Sequence, residues 1–211
     1  MKNKYFNRTM IITSILCLIP ILIYLFTWDK LPEQMPVHFN SSGEADRYAS
    51  KAFAAIGLPL ILFAANVLIN FAVEADPKNS SSGKEMKAIS KWMVPVISII
   101  VNGMVALISL NIPINISVIT FALIGLLFII VGNYLPKSKR NYTIGIKLPW
   151  TLNSDENWNK THRLAGYLFI VSGLLMLVNA FVNMSWIFFV AIALCVFVPT
   201  IYSFLLYKKG I

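Results

Sequence analysis

The chain has 211 residues, 57% hydrophobic and 13% charged, with a formal net charge of +9. A soluble domain carries about a quarter charged residues, so this balance excludes an ordinary soluble fold and points to a membrane protein. The fifteen Lys and Arg that fall on one side of the topology derived below read as an orientation signal, not as a nucleic-acid footprint.

Six runs contain no Asp, Glu, Lys, Arg or His: residues 9–28, 52–73, 92–110, 116–135, 164–183 and 186–207. Each is close to the roughly 20 residues needed to cross about 30 Å of hydrocarbon. Backbone N–H and C=O groups inside lipid must find partners within the protein, so runs of this length read as helices. The expected fold class is an all-α integral membrane protein with six transmembrane helices.

Lys and Arg concentrate in cytoplasmic segments. With the N-terminus inside, fifteen of the eighteen fall on the inner side and only Lys30, Arg47 and Lys51 on the outer side. Both termini are therefore expected in the cytoplasm, with the chain a multi-pass membrane protein. The first run follows Lys2, Lys4 and Arg8, as a signal peptide would. It is long, ends in Tyr24, Phe26 and Trp28, lacks a small-residue cleavage motif, and reads as a retained anchor.

Residues 29–51 follow, an expected small extracellular cap. Met35, Val37 and Phe39 alternate with Pro36, His38 and Asn40, a period of two that marks an extended piece, and Gly43 supplies a turn. His38, Asn40, Gly43, Glu44, Asp46 and Arg47 are the residues placed to meet something outside the cell. Against this stands the plainer reading of an Asx turn with solvated charges.

Residues 74–91 are rich in Ser, Gly and mixed charge and read as a flexible inner linker. Lys84, Lys87 and Lys91 could share a helical face against anionic headgroups.

The loop over 132–166 is the most elaborate. Pro136 ends the fourth helix, and Lys137, Lys139 and Arg140 meet the headgroups. From Tyr142 to Trp150 apolar residues alternate strictly with Thr143, Gly145, Lys147 and Pro149, predicting an extended segment with one apolar face. Ser154 reads as a helix N-cap, with Asp155 and Glu156 in the first turn. The following helix would carry Trp158, Thr161, His162 and Ala165 on one face.

The two histidines, His38 and His162, fall on opposite sides of the membrane, and no other ligand cluster has zinc-like spacing, so no metal and no cofactor is expected. Cys17 and Cys195 lie inside apolar runs, where a thiol packs as a hydrophobe. Asp155 and Glu156 are accounted for by the helix dipole, and no nucleophile and base stand at recognisable spacing, so no enzyme activity is expected. A transporter of a peptide or small solute is the competing reading. The apolar runs carry none of the ionisable residues that ion-coupled carriers place at mid-membrane depth; they hold Asn66, Asn70, Asn102 and Asn179 instead, more often glue between helices.

The stretches LPEQMPVHFNSSGEADRYASK and GNYLPKSKRNYTIGIKLPWTLNSDENWNKTHRLAG carry a family resemblance. The first resembles a short domain of unknown function with the pattern L-P-x3-P-x-H and then G-x2-D. The second resembles the core signature of the sporulation-delaying-protein immunity family (SdpI type), through Gly132, Asn133, Lys137, Asn141, Gly145, Lys147, Trp150, Thr151, Trp158, Thr161 and Gly166 in order. That resemblance implies an N-terminal half over 1–110 and an immunity core over 111–211. It implies a multi-pass protein of the bacterial inner membrane that protects its maker from a secreted toxin peptide, with membrane lipids and that toxin as partners. As an extension, it implies capture of a cytoplasmic winged-helix transcriptional repressor, with no direct binding of nucleic acid. The expected output residues are Asn133, Lys137, Arg140, Asn141, Gly145, Lys147, Trp150, Thr151, Trp158, Thr161, His162 and Arg163.

Overall fold

The computed structural model describes residues 6–40, 42–78 and 83–211; Lys2 and Lys4 of the basic N-terminal segment, Ser41, and residues 79–82 of the expected linker lie outside them. The elements in chain order are α1 (Arg8–Phe26), β1 (Gln34–Phe39), β2 (Ala45–Ser50), α2 (Leu58–Ala75), α3 (Lys84–Ser109), α4 (Ile116–Tyr134), a short α5 (Pro149–Asn153), α6 (Asp155–Val182) and α7 (Ser185–Lys208). Among the described residues six helices are long and apolar enough to cross a membrane, α2 being extended at its start by a π-helical turn over Phe53–Gly57. The chain is a multi-pass membrane protein.

Two compact units divide the chain, one of residues 1–71 and 90–117, the other of 72–89 and 118–211. In the first unit, apolar packing gathers Tyr24, Leu31, Met35, Ala54, Ala55, Val105 and Ala106. Polar groups that lipid could not satisfy are satisfied across helices. The Tyr24 hydroxyl donates to the Asn102 carbonyl at 2.9 Å, Ser98 donates to the Cys17 carbonyl at 3.3 Å, and Thr13, Asn66 and Asn70 form one buried cluster. Asn66 and Asn70 therefore act as interhelical glue, whereas the Asn102 side chain donates to the Ser98 carbonyl of its own helix at 2.8 Å and Asn179 Oδ1 accepts the Met184 N–H at 2.8 Å just past the end of α6.

The expected extended piece is β1, but it is one arm of an antiparallel hairpin, so the fold is not purely helical. Met35 pairs with Ala49 and Pro36 with Tyr48; the register then shifts on either side of the His38–Arg47 pair. Such a bulge twists and shortens a pairing edge that would otherwise be open to another chain. At the base of the hairpin Lys51 donates to the Leu31 carbonyl at 3.3 Å and pairs with Glu33 at 2.8 Å.

In the second unit α4 and α6 cross with almost no side chain between them. A Cβ added to Gly132 would lie 2.7 Å from the Gly166 carbonyl oxygen, and one added to Gly125 would lie 2.8 Å from that of Gly173. The relation is reciprocal, since Cβ atoms on Gly166 and Gly173 would meet the carbonyls of Gly132 and Gly125 at 2.8 and 2.6 Å. Without a hydrophobic driving force in lipid, such close backbone approach gains its stability from dispersion contacts.

Two expectations are corrected here. Residues 84–91 are the start of α3 and not a linker; they carry Lys84, Lys87 and Lys91 on a helix, of which Lys91 is buried. The segment 142–150 is not an extended strand, because no neighbouring strand among the described residues takes its backbone groups. Its hydrogen bonds go to side chains instead, and Pro149 and Trp150 open α5.

Candidate functional site

Asn141 organises the loop between α4 and α5. Its side chain is fully buried; its Oδ1 accepts from the N–H groups of Thr143 and Ile144 at 3.0 and 2.7 Å, and its Nδ2 donates to the carbonyls of Lys139 and Ile144 at 2.9 and 3.0 Å. An asparagine that mimics a backbone turn in this way reverses the chain, and the apolar alternation that reads as a strand is broken at its first residue. Ile144 is left buried while Tyr142 is exposed.

Four residues after Asn141, Gly145 has φ +120°, a conformation in which side-chain-bearing residues are strained. An added Cβ would collide with His162 Nε2 and lie 3.0 Å from the Trp158 ring. The loop backbone is thus pressed onto the α6 face expected from the sequence, and Trp158, Thr161, His162 and Ala165 are indeed all fully buried.

That face is held by specific bonds. Trp158 donates its indole N–H to the Ser138 carbonyl at 2.7 Å and stacks on His162, the ring centroids 4.0 Å apart. His162 faces the Trp158 carbonyl through Nδ1 at 2.8 Å, and its Nε2 faces the Ile146 N–H at 3.0 Å. A carbonyl can only accept and an amide N–H only donate, so the imidazole is neutral with its proton on Nδ1. His162 is a structural latch and has no free nitrogen for proton transfer.

Thr151 accepts the Leu148 N–H at 2.8 Å and donates to the Ile146 carbonyl at 2.8 Å, closing the start of α5. Trp150 donates to Ser203 Oγ at 2.6 Å and stacks on Tyr207, tying α5 to α7. Ser203 in turn donates to Asn157 Oδ1 at 2.9 Å; Asn157, fully buried, also accepts from Thr161 at 3.1 Å and donates to the Ser203 and Ile211 carbonyls at 3.0 and 3.1 Å. Ser154 caps α6 as expected, accepting from the Asn157 N–H at 3.2 Å. Asp155 does more than complement the helix dipole, pairing with Arg140 at 2.7 Å while Arg140 also donates to the Leu152 carbonyl at 2.7 Å.

The loop has a further anchor that sequence reading missed. Asp76, only 5% exposed, accepts from the Tyr142 N–H at 2.9 Å, the Thr143 hydroxyl at 2.7 Å and the Lys78 N–H at 2.7 Å. Burial pushes its carboxyl up, but the hydrogen bonds from Thr143, Lys78 and Tyr142 outweigh burial and hold it below the ordinary carboxylate range.

The expected output residues therefore divide. Asn141, Gly145, Thr151, Trp158, Thr161 and His162 are buried frame or pressed against it, and Arg140 and Trp150 join it with partial burial. Asn133, Lys137, Lys147 and Arg163 are exposed, Lys137 with its ammonium 4.4 Å from the Tyr134 ring centroid.

In the hairpin, Asn40 Oδ1 accepts from the Ser42 and Glu44 N–H groups at 2.9 and 3.0 Å, and Gly43 takes φ +83°. Asn40 and Gly43 thus build the turn. His38 and Asp46 meet at 2.6 Å across the strands, and that hydrogen bond draws the Asp46 carboxyl below its usual range. Glu44, Arg47 and the His38–Asp46 pair are left exposed on the surface. Among the described residues no group of three or more His, Cys, Asp or Glu could hold a metal ion.

Comparison with known proteins gives two regions that overlap the stretches carrying the resemblance. Residues 137–203 match the SdpI/YfhL protein family, and residues 15–63 match a domain of unknown function, DUF1648. Over 202 residues the chain is 24% identical to the immunity protein SdpI of Bacillus subtilis (strain 168), spanning 94% of this chain and 96% of that protein. No solved structure matches.

Proposed function

We propose that this chain, carrying an SdpI/YfhL region behind a DUF1648 region, is a cell-membrane immunity protein that protects its maker against a secreted toxin peptide. The observation that carries the reading is the near end-to-end similarity to an immunity protein, 94% of one chain against 96% of the other. The distribution of Lys and Arg supports an orientation with both termini in the cytoplasm, which puts the hairpin outside and the loop over 132–166 inside. On that topology the toxin meets the surface around His38, Glu44, Asp46 and Arg47. The inner loop is the output.

A cytoplasmic repressor as the partner of that output is supported by how the loop is built. Its frame is buried and hydrogen-bonded, while Lys137, Lys139 and Lys147 stand exposed beside it. Rigidly displayed bases set the on-rate and specificity of binding to an acidic patch more than its raw affinity.

The test is expression in a toxin-sensitive bacterium challenged with a cannibalism-type toxin peptide, with Asp46→Ala and Trp150→Ala beside the wild type and membrane levels measured for each. Wild type raises survival without energy-dependent efflux, and Asp46→Ala loses protection at an unchanged level. Equal killing with and without the chain overturns the reading for that toxin. Protection that collapses with the proton gradient points to transport instead.

A further inference from the structure

The apolar run of α6 begins at Leu164, and the two turns before it are polar. At that boundary an open groove of about 730 Å³ is lined by Glu156, Asn159, Lys160, Arg163 and Tyr167 of α6 and by Tyr202 of α7. Glu156 and Lys160 pair at 2.7 Å and offset one another. Arg163 has no acidic partner among the described residues, so the groove carries one uncompensated positive charge on a side chain able to fork two oxygens.

The groove does not end in solvent. From Tyr167, at 66% exposure, an exposed apolar stripe continues along the same face of α6 through Val171, Leu174 and Val178, at spacings of four, three and four. Tyr167 and Tyr202 stand where the polar end meets that stripe, the depth at which tyrosine collects in membranes. A cationic notch with donor hydroxyls, opening onto an apolar track, is complementary to a molecule with an anionic head and apolar tails. A soluble acidic segment would satisfy the notch and leave the track uncovered.

We infer that this groove is a binding site for an anionic phospholipid, with Arg163 and Lys160 on the phosphate, Asn159 and the tyrosine hydroxyls donating to headgroup oxygens, and the acyl chains lying along Tyr167, Val171, Leu174 and Val178. The inference needs neither the immunity reading nor a choice of orientation. Glu156 restricts the site: its carboxylate repels a second negative charge, so a singly charged headgroup fits better than a multiply phosphorylated one.

The full chain, purified in detergent, is titrated with phosphatidylglycerol, phosphatidylcholine or inorganic phosphate while its thermal unfolding is followed, and retained lipid is counted by native mass spectrometry. Phosphatidylglycerol raises the unfolding temperature and stays bound, whereas phosphatidylcholine and inorganic phosphate do neither. Arg163→Gln weakens the effect about five-fold, the equivalent of one basic charge at a membrane surface. Lys147→Gln, a basic residue outside the groove, leaves it unchanged. Both substitutions are at exposed positions, and Arg163→Lys serves as a folded control that keeps the charge. Equal shifts from the two lipids, or an Arg163→Gln variant that keeps the preference, overturn the proposal. Stabilisation by inorganic phosphate alone makes the groove a plain anion site, and stabilisation by an acidic peptide with none from phosphatidylglycerol makes it a protein-docking face; either result also overturns it.

Discussion

The Asp76 carboxylate and the Thr143 hydroxyl meet at 2.7 Å across 67 residues of sequence, joining the end of α2 to the loop before α5. Asp76 has no substitute, because the same carboxylate also takes the Tyr142 N–H and the Lys78 N–H. Asp76→Ala leaves buried donors unpaired and is expected to cost about 1–3 kcal/mol. The pH dependence has a definite sign. The folded-state carboxyl is held below its ordinary value, so its stabilisation is fully present above about pH 3.9 and is lost as pH falls through the folded value. Thermal unfolding from neutral to acid pH checks this: wild type loses stability at the acid end and Asp76→Asn lacks that component. The same acid slope in both proteins counts against the clamp.

Gly145 and His162 form a second test, through non-additivity. Gly145→Ala brings backbone strain at φ +120° and a clash with His162 and Trp158, together about 2–4 kcal/mol. His162→Ala is itself destabilising, by about 2–4 kcal/mol, because it removes a fully buried ring stacked on Trp158 and leaves the Ile146 N–H unpaired. In the double variant the clash with the imidazole is gone, so Gly145→Ala there costs less than it does alone. Unfolding temperatures of the four proteins give the coupling, and simple additivity contradicts the contact.

Glycines in this chain are not equivalent, and a pair of substitutions shows it. Gly132→Ala forces a Cβ against the Gly166 carbonyl and should lower stability by about 1–3 kcal/mol. Gly103→Ala, in the middle of α3, meets nothing within 4 Å and should be neutral or stabilising by up to about 1 kcal/mol. Denaturation in detergent separates them. Equal effects mean that the α4–α6 crossing is not close.

In the hairpin, Asn40 and Asp46 separate structure from recognition. Asn40→Ala removes the acceptor for two N–H groups and opens the turn, lowering both unfolding temperature and membrane level. Asp46→Ala breaks one exposed contact with His38 and leaves both unchanged. A fall in stability for Asp46→Ala equal to that of Asn40→Ala would remove this distinction.

The spans were legible in the sequence because lipid imposes one rule on every backbone group. The Ser154 cap and the buried face of Trp158, Thr161, His162 and Ala165 were legible because they are set by spacing along one helix. What spacing cannot show is which distant side chain replaces a missing strand. The alternation from Tyr142 to Trp150 is real, but Asn141 takes the backbone groups at its start, and Gly145 turns against His162 in its middle. Asn followed four residues later by Gly was the available sign of turn chemistry. Asp76 gave no comparable sign, since a carboxylate beside Pro77 in a polar segment looks the same whether solvated or buried.

The facing glycines of α4 and α6 also have a mechanical meaning. Gly125 and Gly132 are seven residues apart, as are Gly166 and Gly173, so the two contacts lie about 10 Å apart along each axis. Sliding α4 by a single residue would put Ile124 or Leu126 against the Gly173 carbonyl, and Val131 or Asn133 against that of Gly166. The crossing is a two-pin lock on register: helix pistoning is barred at this pair, and a motion of the unit that preserves it must carry α4 and α6 as one rigid lever.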